Sequence, residues 1–177
     1  CSRDWSSDVC SSDLMVMAVQ LMLAQPSPST AQLSVMVEFV ELLSRNTAPL
    51  ARCQDSMQAL ASYVASVRPG TSALPGLFGA WPSPCGRPLA YYGSEQSDWA
   101  LCKGTYPTTR GYTCGLWELF HLLIAHSVEE RAVSDLMAIK AWIEQFFGCE
   151  DCRNNFLAMA TGIDTSVTTR DDAVLWQ

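Results

Sequence analysis

Two cysteines separated by two residues give the clearest indication of chemistry in this chain. They form the segment Cys149-Glu150-Asp151-Cys152, which follows an apolar, aromatic run and Gly148. Two thiols at this spacing can close a small disulfide ring that exchanges readily with other thiols. A helix that begins here would favour a thiolate through its unpaired N–H groups, whereas the two intervening carboxylates oppose it. The spacing is also compatible with a structural disulfide or with half of a metal site, and these three alternatives stay open.

An upstream segment contributes an aromatic residue and a histidine. Trp117 and His121 are four residues apart, so they share one face of a predicted helix. Such a pair is typical of core packing as well as of a ligand-binding face. Zinc would need two more ligands beside the cysteine pair, and the only histidines, His121 and His126, lie on different faces of that helix. We therefore predict no metal site.

The composition narrows the class of protein. With 177 residues, of which 49% are hydrophobic, the chain can bury a substantial core. A net charge of −7 offers no electrostatic footprint for nucleic acid or for an anionic membrane. Eight cysteines are more than an ordinary cytosolic domain carries unless they bind metal or do redox chemistry. The cysteine content therefore favours an oxidising compartment.

The first 14 residues contain two near copies of a short Ser-Asp unit without apolar periodicity. We interpret residues 1–14 as a non-native leader and give no weight to Cys1 and Cys10. The apolar run Leu14–Ala24 is too short to span a membrane, which needs about 20 residues. It could be the core of a signal peptide, but it lacks a basic flank, and a buried helical segment is the interpretation that we favour.

The rest of the chain has helical periodicity, and no segment competes as a strand, so we predict an all-α fold. Apolar residues recur at helical spacing over 31–45 and 55–67, and a stretch dense in Gly, Pro and Ser follows. A helix over Cys114–His126 comes next. Ser127-Val128-Glu129-Glu130 has the form of a capping box, which predicts a helix start there, and Gly148 resembles a left-handed helix end. Further helices are expected from Cys149 and from Thr169.

Four motifs in the second half occur together in one known family. They are, in chain order, Trp99–Gly104, Arg110–His121, Phe146–Phe156 and Asp172–Trp176. In sequence and order these motifs closely resemble the Erv-type flavin domain of the quiescin sulfhydryl oxidases. The helical region before them resembles the degenerate pseudo-Erv region of that family.

The resemblance implies an FAD-dependent thiol oxidase, which converts protein or small-molecule dithiols and oxygen into disulfides and hydrogen peroxide in the secretory pathway. Carried over by position, Cys149 and Cys152 are the redox pair. Cys152 is expected against the flavin and Cys149 is expected to exchange with the incoming dithiol. The resemblance also implies a structural disulfide between Cys102 and Cys114. The positions expected to contact FAD are Arg110, Trp117, His121, Asp151, Asn155 and Trp176.

The resemblance also implies a division of the chain. We expect a pseudo-Erv-like helical segment over 15–68, a linker over 69–98, and an Erv-type domain over 99–177 that is incomplete at its C-terminal end. Asn155 stands where the family commonly has a flavin-contacting histidine, and the family's segment around the adenine end of FAD would follow Gln177. We therefore expect the 177-residue chain to retain FAD weakly or not at all.

Cys53 and Cys85 have no counterpart in the family, so their pairing stays open. The alternative from another functional class is a secreted, disulfide-stapled helical module that binds a partner without catalysis. Bound flavin would distinguish the two.

Overall fold

The computed structural model describes residues 8–46, 51–71 and 112–176, and every regular element in these ranges is helical. The predicted all-α class is confirmed. In chain order the helices are α1 (Asp8–Leu23), α2 (Thr30–Asn46), α3 (Ala51–Ser66), α4 (Tyr112–Ala125), a 3₁₀ turn (Glu129–Arg131), α5 (Ala132–Phe146), α6 (Glu150–Met159), α7 (Ile163–Ser166) and α8 (Arg170–Trp176). Most of the predicted linker over 69–98 lies outside the described residues, as does Cys85.

Helix α1 contains the apolar run whose role the sequence left open. Leu14, Met22 and Leu23 are buried, Met15, Val16 and Val19 are fully inaccessible, and the helix packs against α4. The helix begins at Asp8 and therefore crosses the leader boundary that we placed after residue 14. Each residue added to a formed helix adds one backbone hydrogen bond. A helix formed by the apolar run can therefore extend into the polar residues before it. No helix in the described part of the chain is both long and apolar enough to cross a membrane.

Helix α2 starts at a reciprocal cap that the periodicity did not reveal. The N–H of Gln32 donates to Ser29 Oγ at 3.2 Å, and the N–H of Ser29 donates to Gln32 Oε1 at 2.9 Å. Two N–H groups that would otherwise lack partners are thereby satisfied at the helix start. From this cap α2 runs on to pack against α3, α4 and α5.

A cluster of aromatic rings joins α2, α4 and α5. The ring of Trp142 stacks on Phe39 with a centroid separation of 5.1 Å and meets Phe120 edge-on at 5.5 Å. Phe39 and Phe120 also contact each other edge-to-face at 6.2 Å. All three residues are almost completely inaccessible to solvent. Because one residue comes from each helix, this cluster holds the N-terminal helices and the second half of the chain in one hydrophobic core.

A buried polar cluster lies beside these rings, at the C-terminal end of α2. Asp135 is 2% exposed, and one carboxylate oxygen accepts from the Arg45 guanidinium at 3.1 Å. Its other oxygen accepts from Asn46 Nδ2 at 2.9 Å and from the Ser127 hydroxyl. Asn46 also donates to the carbonyl of Leu123 at 2.9 Å. The cluster thus connects the ends of α2 and α4 to the first turn of α5.

The predicted capping box at Ser127 is wrong. Ser127 is buried, and its hydroxyl donates to Asp135 instead of capping the following turn. The 3₁₀ turn has Val128 at its N-cap without a side-chain bond, and α5 begins only at Ala132. The Ser127 oxygen, which would accept from a backbone N–H in a capping box, instead accepts from Asn46 Nδ2 at 2.8 Å.

The predicted left-handed helix end at Gly148 is also wrong. Phe147 ends α5 in an extended conformation, with φ −74° and ψ 117°. Within the described ranges the glycines with positive φ are Gly70 and Gly162. The chain therefore leaves α5 in an extended conformation at Phe147. Gly162, directly before α7, has the left-handed conformation that was predicted for Gly148.

Replacing the buried carboxylate tests whether the polar cluster supports the fold. We expect Asp135→Ala to lower the free energy of unfolding by about 3 kcal/mol, because the substitution leaves the donors of Arg45 and Asn46 without their charged acceptor. Urea denaturation measures the change. Glu144→Ala removes an exposed carboxylate from the same helix and serves as the control. Equal stability of the two variants would show that the cluster contributes nothing measurable.

Candidate functional site

The two cysteines of the C-x-x-C segment form a disulfide at the start of α6. Cys149 is the N-cap residue and Cys152 lies in the first turn, with their Cα atoms 5.3 Å apart. The N–H of Cys152 donates to Cys149 Sγ at 3.3 Å, so sulfur takes the place of the usual oxygen acceptor at a helix start. Cys149 is half-buried and Cys152 is exposed. Sulfur chemistry is therefore presented at the surface, at the positive end of a helix.

A cavity of about 390 Å³ opens beside this disulfide. Its walls are largely aromatic, with Trp117 and Phe120 from α4, Phe156 from α6 and Trp176 from α8. Ile139 and Met159 complete the apolar surface, and the polar groups at the cavity are His121, Cys152 and Asn155. A mostly apolar pocket with a few polar groups is the usual form of a small-molecule site, and this volume is in the ordinary range for one.

Trp117 is held in place by rings on three sides. Its ring centroid lies 5.7 Å from Phe120, 5.6 Å from Phe147 and 5.3 Å from Phe156. Phe120 and Phe147 also contact Trp142, at 5.5 and 6.4 Å, so the pocket wall is continuous with the buried aromatic cluster. The position of Trp117 therefore follows from the packing of the core.

Trp176 forms one wall of the cavity, and its position depends on how the short helix α8 is held. The Thr169 hydroxyl accepts from the N–H of Asp172 at 3.0 Å, and one carboxylate oxygen of Asp172 accepts from the N–H of Thr169 at 3.0 Å. Arg170 donates through its guanidinium to the carbonyl of Ala125 at the end of α4. These bonds hold α8 where Trp176 meets Phe156 edge-on at 5.7 Å.

The hydrogen bonds at the start of α8 act on the charge of Asp172. Bonds from the Thr169 side chain and then from the N–H groups of Thr168 and Thr169 lower the pKa of the Asp172 carboxyl below its ordinary value of 3.8. Hydrogen bonds to the ionised form favour that form. The cap is therefore strongest when Asp172 is charged.

The cavity brings together five of the residues that the sequence singled out. Trp117, His121, Cys152, Asn155 and Trp176 all line it, although they come from three helices. Cys149 lies at the disulfide but not on the cavity wall, and Asp151 is exposed on the first turn of α6 without lining the cavity. Arg110 and Cys102 lie outside the described residues, as does the side chain of Cys114.

Four residues of the cavity were not predicted as site residues: Phe120, Ile139, Phe156 and Met159. Phe156 and Met159 lie four and seven residues after Cys152, and Phe120 lies three after Trp117, so helical spacing could have indicated these three. Ile139 belongs to α5, and nothing in the sequence relates it to the cysteine pair. Among the described residues, no group of three or more potential metal ligands lies close enough together to hold an ion.

Comparison with known proteins agrees with this combination of helical fold and aromatic pocket. Residues 114–177 match the model of the Erv1 / Alr family. The chain is 40% identical over 83 residues to Sulfhydryl oxidase 1 of Gallus gallus, an alignment that covers 44% of this chain and 11% of the relative. It is 35% identical over 78 residues to Sulfhydryl oxidase 1 of Oryza sativa subsp. japonica, covering 44% and 15%.

The solved structure of the Sulfhydryl Oxidase Fragment of Human QSOX1 superposes with a TM-score of 0.76 at 25% identity. That superposition covers 96% of this chain and 69% of the solved chain. The fold and the pocket thus define an Erv-type helical protein. As the resemblance predicted, the chain is similar to the quiescin sulfhydryl oxidases, and it spans only about an eighth of the length of the curated relatives it matches.

The cap of α8 should make stability depend on pH in the acid range. Because the pKa of Asp172 is lowered in the folded chain, its stabilising effect is fully present above the unfolded value, near 3.8, and is lost as the pH falls through the lower folded value. We expect Asp172→Ala to be less stable than the parent at pH 6, with a difference that vanishes toward pH 2. Urea denaturation across this range measures it.

The neighbouring Asp171→Ala is the matched control, because Asp171 is exposed on the same turn and the hydrogen bonds of the cap are made by Asp172. If both variants lose the same stability with the same pH dependence, the effect comes from negative charge at the helix start. The role of the Asp172 cap would then be contradicted.

Proposed function

We propose that this chain is the flavin-binding, disulfide-exchanging part of a thiol oxidase, which converts dithiols and oxygen into disulfides and hydrogen peroxide. The observation that carries the proposal is the Cys149–Cys152 disulfide at a helix start, with Cys152 on the wall of an aromatic cavity. The names of the relatives, all sulfhydryl oxidases, support the same activity.

The cavity residues suit FAD as the cofactor. A flat aromatic ring system finds packing surfaces in Trp117, Phe120 and Trp176, and ring contacts of this kind contribute beyond the area they bury. His121 and Asn155 can hydrogen-bond to the polar edge of such a ring, and Asn155 keeps a donor where the family commonly has histidine. When bound, FAD would supply the capacity to take up two electrons from a dithiol and deliver them to oxygen.

The cysteines perform the exchange with substrate. A thiolate of the incoming dithiol attacks Cys149 Sγ, the bond between the two protein sulfurs breaks, and Cys152 leaves as a thiolate. The second substrate thiolate then attacks the mixed disulfide and releases Cys149. The substrate is now a disulfide and the chain holds two reduced cysteines, so two electrons have moved from substrate to protein.

This assignment of roles is supported by the different surroundings of the two sulfurs. Cys152 lines the cavity, where a bound flavin would receive its electrons, and Cys149 lies outside it, where a substrate thiol can approach. The N–H of Cys152 donates to Cys149 Sγ, so the helix start also stabilises negative charge on that sulfur.

The remaining expectations stay proposals. We propose that Arg110 and Asp151 contribute to the flavin site, that Cys102 and Cys114 form a structural disulfide, and that the Erv-type domain extends over 99–177. We also propose that the protein works in the secretory pathway on protein or small-molecule dithiols. A disulfide that cycles through exchange agrees with an oxidising compartment.

Cysteine variants test the roles of the two sulfurs. With excess FAD, we expect Cys149→Ser and Cys152→Ser each to lose at least about 100-fold in oxygen consumption driven by dithiothreitol, because neither can form the disulfide. FAD should also slow alkylation of Cys152 in the Cys149→Ser variant and leave alkylation of Cys149 in the Cys152→Ser variant unchanged. Protection of Cys149 and not of Cys152 would reverse the assignment.

Flavin titration tests the cofactor site itself. We expect His121→Ala to weaken FAD binding about 5- to 10-fold, which corresponds to one lost hydrogen bond. His126→Ala is the control, because His126 is exposed directly after the same helix, bonds to the Leu122 carbonyl and does not line the cavity. Quenching of flavin fluorescence measures both. If His121→Ala binds FAD as tightly as the parent and His126→Ala do, the placement of the flavin against His121 is wrong.

A further inference from the structure

Arg153 connects the redox-active turn to the end of the preceding helix. It directly follows Cys152 and is half-buried. Its guanidinium donates to the carbonyl of Phe147 at 3.3 Å, and its N–H donates to the carbonyl of Cys149 at 2.9 Å. One residue of α6 is thus hydrogen-bonded to two of the three residues that join α5 to α6.

The junction that Arg153 spans, residues 147–149, is fixed at Phe147 and exposed to solvent at Gly148. Phe147 is 1% exposed and fixed by ring contacts with Trp117 and Trp142. Gly148 is exposed, and a Cβ placed on it would meet no atom within 4 Å. Cys149 is therefore attached to a fixed residue through a single glycine that nothing packs against, and glycine restricts the backbone least.

The disulfide itself restrains Cys149 in the oxidised chain, but reduction removes that covalent link. What then holds Cys149 near Cys152 is the hydrogen bonding at the start of α6, in which the Arg153 side chain is the component that reaches back across Gly148. A dithiol kept close to its disulfide geometry gives up less freedom when the bond closes, which is the general advantage of preorganisation.

We propose that Arg153 is a positioning residue for the redox pair: by tying α6 to the Phe147 carbonyl, it keeps the reduced Cys149 and Cys152 thiols poised to form their disulfide. The proposal rests on the proposed function in taking this pair as the one that cycles. It adds a residue that neither touches the cavity nor carries a reacting atom.

The size of the effect follows from the exposure of the bond. Loss of one such hydrogen bond should change the disulfide equilibrium roughly three- to tenfold, which corresponds to about 0.6–1.4 kcal/mol. For a two-electron couple a tenfold change is about 30 mV, and a threefold change is about half of that. Without the tie the disulfide should be the easier one to reduce.

The test is a redox equilibrium that needs no flavin. The whole chain is equilibrated with reduced and oxidised dithiothreitol, free thiols are alkylated, and the peptide containing Cys149 and Cys152 is quantified by mass. In this reaction the protein disulfide and the dithiol of the reagent give the protein dithiol and the cyclic disulfide of the reagent, a transfer of two electrons and two protons. We expect Arg153→Met to raise the equilibrium constant for reduction three- to tenfold.

Arg131→Met is the matched control, because it removes the same charge at the opposite end of α5. It should stay within about twofold of the parent. The measurement is made at pH 8 and at pH 6, where ordinary thiols are protonated. Positioning of the neutral thiols predicts the same rise in the equilibrium constant at both pH values. Attraction between the guanidinium and a thiolate would stabilise the reduced form, so its loss would lower the constant, and only at pH 8.

Three results would overturn the proposal: no shift in Arg153→Met, an equal shift in Arg131→Met, or a shift confined to pH 8. Circular dichroism establishes that each variant is folded. If Arg153→Met does not fold, Arg153→Lys takes its place, since it keeps the aliphatic stem and loses the guanidinium fork, and a shift in the same direction is expected. Failure of the flavin titration leaves this measurement unaffected, so the two proposals can fail separately.

Discussion

The rest of this structure depends on the contacts of Trp142, which stacks on Phe39 and meets Phe120 edge-on. These rings come from α5, α2 and α4, and their contact is what makes the N-terminal helices and the second half of the chain share one core. Aromatic pairs of this geometry contribute about 0.5–1.5 kcal/mol each beyond the area they bury. A second layer of rings continues outward through Phe147 to Trp117, so the wall of the candidate site is an extension of the core. The cavity therefore has a preformed side, which suits the binding of a rigid, flat ligand.

The opposite side of the site is built differently. The disulfide lies at a helix start behind an exposed glycine, and neither sulfur is enclosed, since Cys149 is half-buried and Cys152 is exposed. Its position relies on hydrogen bonds such as that from Arg153 to Phe147. Exchange chemistry requires this contrast, since a sulfur that is attacked by an incoming thiolate must be accessible, whereas the ring that receives its electrons must be held firmly. Helix α8 completes the cavity only because Arg170 and the Thr169–Asp172 cap hold a segment of seven residues that is too short to be helical by itself.

Much of the fold and site followed from the sequence because the relevant signals are local. Helical periodicity predicted the helices, and the order of motifs around Cys149 and Cys152 predicted the family. The errors occurred where a tertiary contact competed with a local preference. Ser29 and Ser127 head similar S-x-x-Q/E segments, yet only Ser29 caps its helix, since Ser127 is buried beside the carboxylate of Asp135. Gly148 resembled a helix end, but the anchoring of Phe147 in the aromatic core sets an extended exit instead.

The sequence by itself determined which residues could do chemistry. The C-x-x-C spacing gives two sulfurs that can close a ring, and the four-residue spacing of Trp117 and His121 gives a shared helix face, since both depend only on backbone geometry. Only the tertiary structure decided that Cys152 and not Cys149 lines the cavity, that Ile139 joins the site from another helix, and that Asp151 stays outside it. These outcomes depend on how α4, α5, α6 and α8 pack on one another. The physical reason is that packing is set by contacts between residues distant in the chain, which no local spacing encodes.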